Sequence, residues 1–321
     1  MYSQANPWAI VLAAGEGRRL SSLTTANGVA VPKQFCSLNG GPSLLQEALE
    51  RAGRVAPPRR VCTIVAAQHR RWWSAPLAAL PAENVIVQPE NRGTAIGVLL
   101  PLLRLELRDP RGRVVLLPAD HHVRDEDTLA RTLRDASRQL RHDTGDLLLL
   151  GIEPDEADPE LGYIVPAAEA GEIRAVDRFV EKPVAALATD LVAQGAVWNS
   201  FIIVAQLQAM LRLYERRLPE LVTELRRAVR RDAVTGTLAE VASYYADLPM
   251  LDFSRDVLEG QEDHLRVVTV PSCGWSDLGT PHRVAAALRR ISERRTARSV
   301  AFNAIAHLDL AAQHAMQQMA G

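Results

Sequence analysis

Short apolar runs, each long enough for one strand, alternate with longer stretches of helical periodicity through the first half of the chain. This alternation limits the fold more than any other feature. Ala9 to Ala14, Val61 to Ala66, Val85 to Val87, Val114 to Leu117 and Leu147 to Ile152 contain almost no polar residue, the pattern of strands covered on both faces. Between them, Ser43 and Gln46 have capping-box spacing for a helix to about Arg51, and Gln68 to Leu80 reads as a helix bent or ended near Pro76. Thr94 to Arg108 has helical length despite Pro101, and Asp127 can cap a helix to about Arg141. Strand and helix in this order predict an α/β fold with a doubly wound, mostly parallel sheet.

Past Gly162 the pattern changes. Tyr163 to Pro166 and Ile173 to Val180 flank a Glu-Ala-Gly turn and read as an antiparallel hairpin, so the sheet becomes mixed. Pro183 to Gln194 reads as helix, Val197 to Val204 as strand, and Leu207 to Arg231 as one or two helices whose arginines form a solvated face. Arg266 to Val270 is a last strand, followed by helices at Pro281 to Arg294 and Ala304 to Met319. The reading divides the chain near Thr280, into a main domain at 1–280 and a short helical extension at 281–321.

With 321 residues and 47% apolar content, the chain can bury a substantial core. Its net charge is −1, so no overall field argues for a nucleic acid or an anionic membrane as partner. No apolar run approaches the roughly 18 residues that span a bilayer. The three cysteines, Cys36, Cys62 and Cys273, show no metal or redox spacing, and the expected compartment is the cytoplasm. Only two of the 37 basic residues, Lys33 and Lys182, are lysine. A compact ammonium and a planar guanidinium are not interchangeable in a tight phosphate site, which makes both lysines site candidates.

Five stretches could carry chemistry. The first strand ends in Gly15-Glu-Gly17, where the backbone can approach a ligand, with Arg18, Arg19 and Lys33 supplying charge. Alone, this loop is also compatible with a tight turn, or with half of a dinucleotide fingerprint whose third glycine is replaced by Leu20. Asp120 follows a buried strand, where it could cap a loop or hold a divalent cation through hard oxygens. The adjacent His121 and His122 lack a third ligand that would suggest zinc. Glu181-Lys182 ends a strand and suits a phosphorylated sugar, although a surface ion pair would look the same. Trp198-Asn199-Ser200 offers amide and hydroxyl groups to a polyol, and Asp277 is a further carboxylate after the last strand.

In this order the five stretches resemble the sugar-1-phosphate nucleotidyltransferase family, most closely its mannose-1-phosphate guanylyltransferases. The resemblance covers about residues 8 to 280. It implies a Rossmann-like, GT-A-like fold that transfers a nucleoside monophosphate from a triphosphate to a sugar 1-phosphate, with GTP and mannose 1-phosphate as the favoured pair and Mg²⁺ as cofactor. Leu12, Ala13, Ala14, Gly15 and Gly17 match the family's signature loop, while Gln88, Gly93 and Thr94 fall in its Glu-Pro-x-x-Arg-Asn-Thr-Ala motif. These residues would bind the nucleotide. Asp120 and Asp277 match the metal aspartates, and Lys182 the sugar-phosphate lysine. Glu181, Lys182 and Asn199 would bind the sugar phosphate, and Arg19, Lys33 and Lys182 would be the catalytic cations. Arg18 replaces a small hydroxyl residue and Ser22 a proline, whereas Gln88 and Gly93 are similar to uridylyl- and thymidylyltransferases. The resemblance gives no role to a nucleic acid or a membrane, and a homo-oligomer is compatible with it.

Overall fold

The computed structural model describes residues 6–17, 20–26, 29–140 and 146–292. From the N-terminus these residues form β1 (Trp8–Ala13), α1 (Ser21–Thr24), β2 (Thr25–Ala26), β3 (Val29–Ala30), α2 (Leu44–Gly53), β4 (Val61–Ala66), α3 (Arg70–Trp73), β5 (Val85–Gln88) and α4 (Thr94–Glu106). They continue through β6 (Arg113–Pro118), α5 (Glu126–Gln139), β7 (Leu147–Ile152), β8 (Tyr163–Pro166), β9 (Ile173–Val180), α6 (Ala185–Ala193) and β10 (Val197–Gln206). Then come α7 (Leu207–Arg217), α8 (Pro219–Thr235), α9 (Ala239–Ala246), β11 (Leu265–Val270) and a closing helix at 281–292.

Nine strands make one sheet in the order β5-β4-β1-β6-β10-β7-β11-β9-β8. The first four are mutually parallel, β10 runs against both β6 and β7, and β11 pairs parallel with β7 and antiparallel with β9. The expected mixed, mostly parallel sheet is therefore present. The central strands β1, β4, β6 and β7 bury both faces because alternate side chains enter different cores. Ile10 of β1 joins the core beneath α4, α7 and α8, whereas Ala9, Val11 and Ala13 join the core beneath α2 and α5.

Local chemistry explains where the helices start. Ser43 and Gln46 make the capping box that opens α2, each side chain satisfying the other residue's backbone N–H. Helix α5 is capped earlier than its sequence suggested, by Asp125, whose carboxylate accepts the Thr128 N–H at 3.1 Å; Asp127 instead lies in the first turn. The stretch 68–80 is helical only at α3 and the preceding 3₁₀ turn and runs on as turns around Pro76, which has no N–H to give, although Trp73 and Leu77 both remain buried in the core. The 207–231 run breaks at Leu218, and Pro219 opens α8 at the position where its missing N–H costs nothing. Helix α9 and a π-helical turn at Ser254–Leu258 have no counterpart in the expected elements. The helix expected at Ala304 to Met319 lies outside the described residues. Among the described residues no helix is long and apolar enough to cross a membrane.

Candidate functional site

The carboxyl ends of β1, β5 and β6 open on one side of the sheet, where chains of this topology hold ligands. A cleft of about 480 Å³ lies there. Leu12, Ala14, Gly15 and Gly17 line it from β1, Gln88, Gly93 and Thr94 from the β5–α4 junction, and Asp120 from the end of β6. Glu181, Lys182, Asn199 and Asp277 line it from the other half of the sheet. Ala13 is not in the wall; its carbonyl accepts the Gln34 amide at 3.1 Å, and the same amide donates to Gly15 O at 2.7 Å. Arg19 lies outside the described residues. A larger space, about 1010 Å³, opens behind Trp198 and Trp275, but it includes neither the glycine loop nor Asp120.

Lys33 is 8% exposed and fully engaged. Its ammonium lies 2.9 Å from Asp120 Oδ2 and donates to Asp277 O at 2.6 Å and Leu278 O at 3.4 Å. One cation thus binds the loop after β6 to the loop after β11 and keeps both aspartates at the same end of the cleft. Gly17 permits this: its φ is +63°, and a Cβ there would lie 2.8 Å from Lys33 N. Gly15 has open space around its Cα, as a backbone approached by a ligand requires. At Gly93 the φ is +87° and a Cβ would lie 2.1 Å from Leu251 O, so only glycine lets the β5–α4 turn pack under the 248–252 loop.

On the opposite wall, β10 carries a bulge between Asn199 and Ile203. Asn199 N donates to Gly162 O at 2.8 Å, its side-chain oxygen accepts the Phe201 N–H at 3.0 Å, and its amide nitrogen lies 3.4 Å from Ser254 Oγ. Glu181 packs against Gly162, where a Cβ would come within 2.6 Å of its carboxylate. Lys182 is 3.8 Å from Glu181 and far more exposed, with its side chain 43% accessible. The three non-glycine residues with positive φ among those described are Lys182, Phe201 and Leu278, and all three stand at this cleft or its mouth. Backbone strain concentrated in this way is held in place only where the surroundings demand it.

The electrostatics divide the site in two. Burial works to raise the Asp120 carboxyl, but Lys33 and His121 outweigh it and hold the group below the ordinary carboxylate range. Burial pushes the His121 imidazole down to about 4, so it is neutral at pH 7. Its ring packs edge-on against Trp275 at 5.2 Å. Glu181 is raised, first by burial and then by Asp252. One half of the cleft is therefore a carboxylate pinned by an ammonium that also holds the Asp277 backbone, and the other a carboxyl set among hydrogen-bonding groups.

The residues present suit a hard divalent cation. Asp277 Oδ1 is buried without a hydrogen bond, and Asp120 is ionised. Among the described residues no group of three or more His, Cys, Asp and Glu could hold a metal ion. One or two carboxylates with substrate phosphates completing the shell is how proteins commonly bind Mg²⁺.

Several lining residues had no signal in the sequence. Asp252, Ser254 and Met250 line the cleft alongside Glu181 and Asn199 and at its mouth. They arrive there because Thr94 Oγ1 accepts the Phe253 N–H at 2.7 Å and donates to Asp252 at 3.2 Å, contacts that span 159 and 158 residues. Arg51 is another. It is 1% exposed and holds Glu126 with two nitrogens beneath the Asp120 loop.

A cleft at the strand ends of a mixed α/β sheet, with a glycine loop and a pair of aspartates, is the pattern of the nucleotidyltransferase class. Residues 8–294 match the family model described as Nucleotidyl transferase, and the chain belongs to that family. It is similar to the alginate biosynthesis protein AlgA of Pseudomonas syringae pv. tomato, with 30% identity over 84% of this chain and 56% of that protein. It is similar too to a mannose-1-phosphate guanylyltransferase of Escherichia coli K12, with 29% identity over 87% of this chain and 59% of the other. The chain thus spans less than two thirds of these relatives. A solved structure from Thermus thermophilus, titled mannose-1-phosphate geranyltransferase, superposes with a TM-score of 0.71 at 30% identity, covering 85% of this chain and 76% of that one. A UDP-glucose pyrophosphorylase, at 12% identity and a TM-score of 0.60, shares the fold.

Proposed function

We propose that the protein is a mannose-1-phosphate guanylyltransferase, joining GTP and mannose 1-phosphate to give GDP-mannose and pyrophosphate. The observation that carries this reading is a single cleft lined on one wall by the glycine loop and the Asp120–Asp277 pair and on the other by Glu181, Lys182 and Asn199. A phosphate oxygen of the sugar phosphate attacks the α-phosphorus, the bond to the β-phosphate oxygen breaks, and pyrophosphate leaves with that electron pair. A phosphate monoester with a second pKa of about 6 is mostly dianionic at neutral pH, so no general base is needed. The difficulty is holding two anions together.

Lys182, exposed and 3.8 Å from Glu181, would hold the sugar phosphate, and Glu181 and Asn199 would offer acceptors and donors to sugar hydroxyls. Asp120 and Asp277 would hold Mg²⁺. Such an ion polarises the α-phosphate and screens the approaching charge. Lys33 keeps both aspartates at one end of the cleft, and with Arg19 it would favour the departing pyrophosphate. Gln88 is 1% exposed and its amide oxygen has no hydrogen bond, leaving an acceptor for a ring N–H of guanine. Uracil and thymine carry such a group as well, so the preference for GTP rests on similarity to guanylyltransferases. The test is pyrophosphate release across GTP, UTP, dTTP, ATP and CTP, each with mannose and glucose 1-phosphates. GTP with mannose 1-phosphate should exceed every other pair at least about tenfold in kcat/KM; a UTP or dTTP optimum with glucose 1-phosphate would replace the reading with a uridylyl- or thymidylyltransferase.

A further inference from the structure

Arg283 lies on the closing helix, outside every stretch that defines the cleft, yet its side chain reaches Asp277. It is 7% exposed, and its guanidinium carbon stands 4.6 Å over the Trp198 ring. Nε donates to Asp158 Oδ2 at 2.8 Å and stands 3.6 Å from Asp277 Oδ1. Nη2 is 3.7 Å from Glu156 and makes no hydrogen bond. One guanidinium therefore faces three carboxylates unequally: it is bonded to Asp158 and only near Asp277 and Glu156.

The inequality matters because Asp277 Oδ1 makes no hydrogen bond, and its partner oxygen is turned toward Gly279, where a Cβ would come within 2.1 Å. A guanidinium moved less than an ångström closer would bond Oδ1 and occupy the lone pairs and the charge that a cation requires. Asp158 prevents this move, and Asp158 is itself anchored. Its Oδ1 accepts the Glu160 N–H at 2.7 Å, and the Tyr163 hydroxyl donates to its backbone oxygen at 3.0 Å.

We propose that Arg283 and Asp158 form a positioning pair that sets the divalent-cation affinity of Asp277, with Asp158 holding the guanidinium off the carboxylate. The pair also makes the closing helix part of the cation site. This rests on the reading of Asp277 as a cation ligand. An ion pair that merely fastened the closing helix to the loop after β7 would change stability and leave the cation affinity of the folded protein alone.

The test is Mn²⁺ binding to the full chain without nucleotide, followed by the electron paramagnetic resonance of free Mn²⁺, with thermal unfolding of the same samples. An arginine brought fully onto a carboxylate opposes binding of a proton there by tenfold or more. Asp158→Asn, which removes the anchor's charge but keeps its shape, should therefore weaken Mn²⁺ about tenfold. Arg283→Gln should bind Mn²⁺ at least as tightly as the parent chain, and adding it to Asp158→Asn should restore affinity to within about twofold. Arg283→Lys, which is too short to serve both carboxylates, should follow the same direction if the glutamine variant does not fold. Parent-like Mn²⁺ affinity in Asp158→Asn, or a double variant as weak as that single one, would overturn the proposal. Unchanged binding in Asp277→Asn would overturn the cation-ligand reading beneath it.

Discussion

Replacing Lys33 by methionine removes the ammonium that touches Asp120 and the backbone of Asp277 while keeping the stem that packs beside Gly17. Breaking one side of a fully buried ion pair costs about 3 to 5 kcal/mol. The Asp120 side chain is 39% exposed, so water replaces part of the lost partner, and about 1 to 3 kcal/mol is expected at pH 7. The loss should depend on pH in one direction. Lys33 is what holds the Asp120 carboxyl below its ordinary range against burial, and a depressed carboxylate contributes stability above its unfolded pKa of about 3.9 that fades as pH falls through the folded value. Urea unfolding of parent and Lys33→Met at pH 7, 5 and 3.5 should therefore show a gap that is full at the first two values and narrower at the third. Pyrophosphate formation should fall roughly 100- to 1000-fold. A stability gap independent of pH would show that Lys33 acts through its carbonyl contacts alone and that Asp120 is not its charge partner.

Gly93→Ala should lower the unfolding temperature by several degrees and weaken nucleotide binding, since the new Cβ meets Leu251 O at 2.1 Å on a backbone with φ +87°; calorimetry and nucleotide titration check both. Glu181→Gln should raise the KM for sugar phosphate about tenfold and leave the KM for nucleotide within about twofold. Because burial and Asp252 raise the Glu181 carboxyl, the parent's sugar-phosphate KM should climb more steeply as pH falls toward 5 than protonation of the substrate phosphate alone requires, and the glutamine variant should keep only the climb due to the substrate, whose second pKa is about 6. Arg51→Met leaves Glu126 without its bidentate partner and should cost about 3 kcal/mol, read by urea unfolding, with a parallel loss of Mg²⁺-dependent turnover because Arg51 also reaches His121 O at 3.5 Å.

What the sequence disclosed about this molecule, and what it withheld, follows the range of the interactions involved. Strands buried on both faces announce themselves in unbroken apolar runs, so the centre of the sheet and the chain positions of Gly15 and Asp120 were legible just past such runs, whereas Glu181 follows a half-exposed strand and Asp277 stands in the loop beyond β11, and both were legible from their motifs. Helix boundaries within a few residues were partly legible: Ser43 and Gln46 cap α2 as their spacing suggests, but Asp125 rather than Asp127 caps α5, a choice between near neighbours of the same type. Nothing local marks Asp252 or Ser254, which reach the cleft through a threonine far away in the chain. Nor does composition say how a charge is used. The rarity of lysine drew attention to Lys33 and Lys182 together, as two phosphate-facing cations, and both do stand at the site. Only the packing separates them: Lys182 is 3.8 Å from one carboxylate and substantially exposed, whereas Lys33 is buried and spends its hydrogen bonds on the two loops that carry the aspartates. A cation committed to protein groups can organise charge but cannot travel with a substrate. Lys182 is therefore the lysine whose loss should appear in the KM for sugar phosphate, and Lys33 the one whose loss should appear in kcat and in the acid stability of the fold.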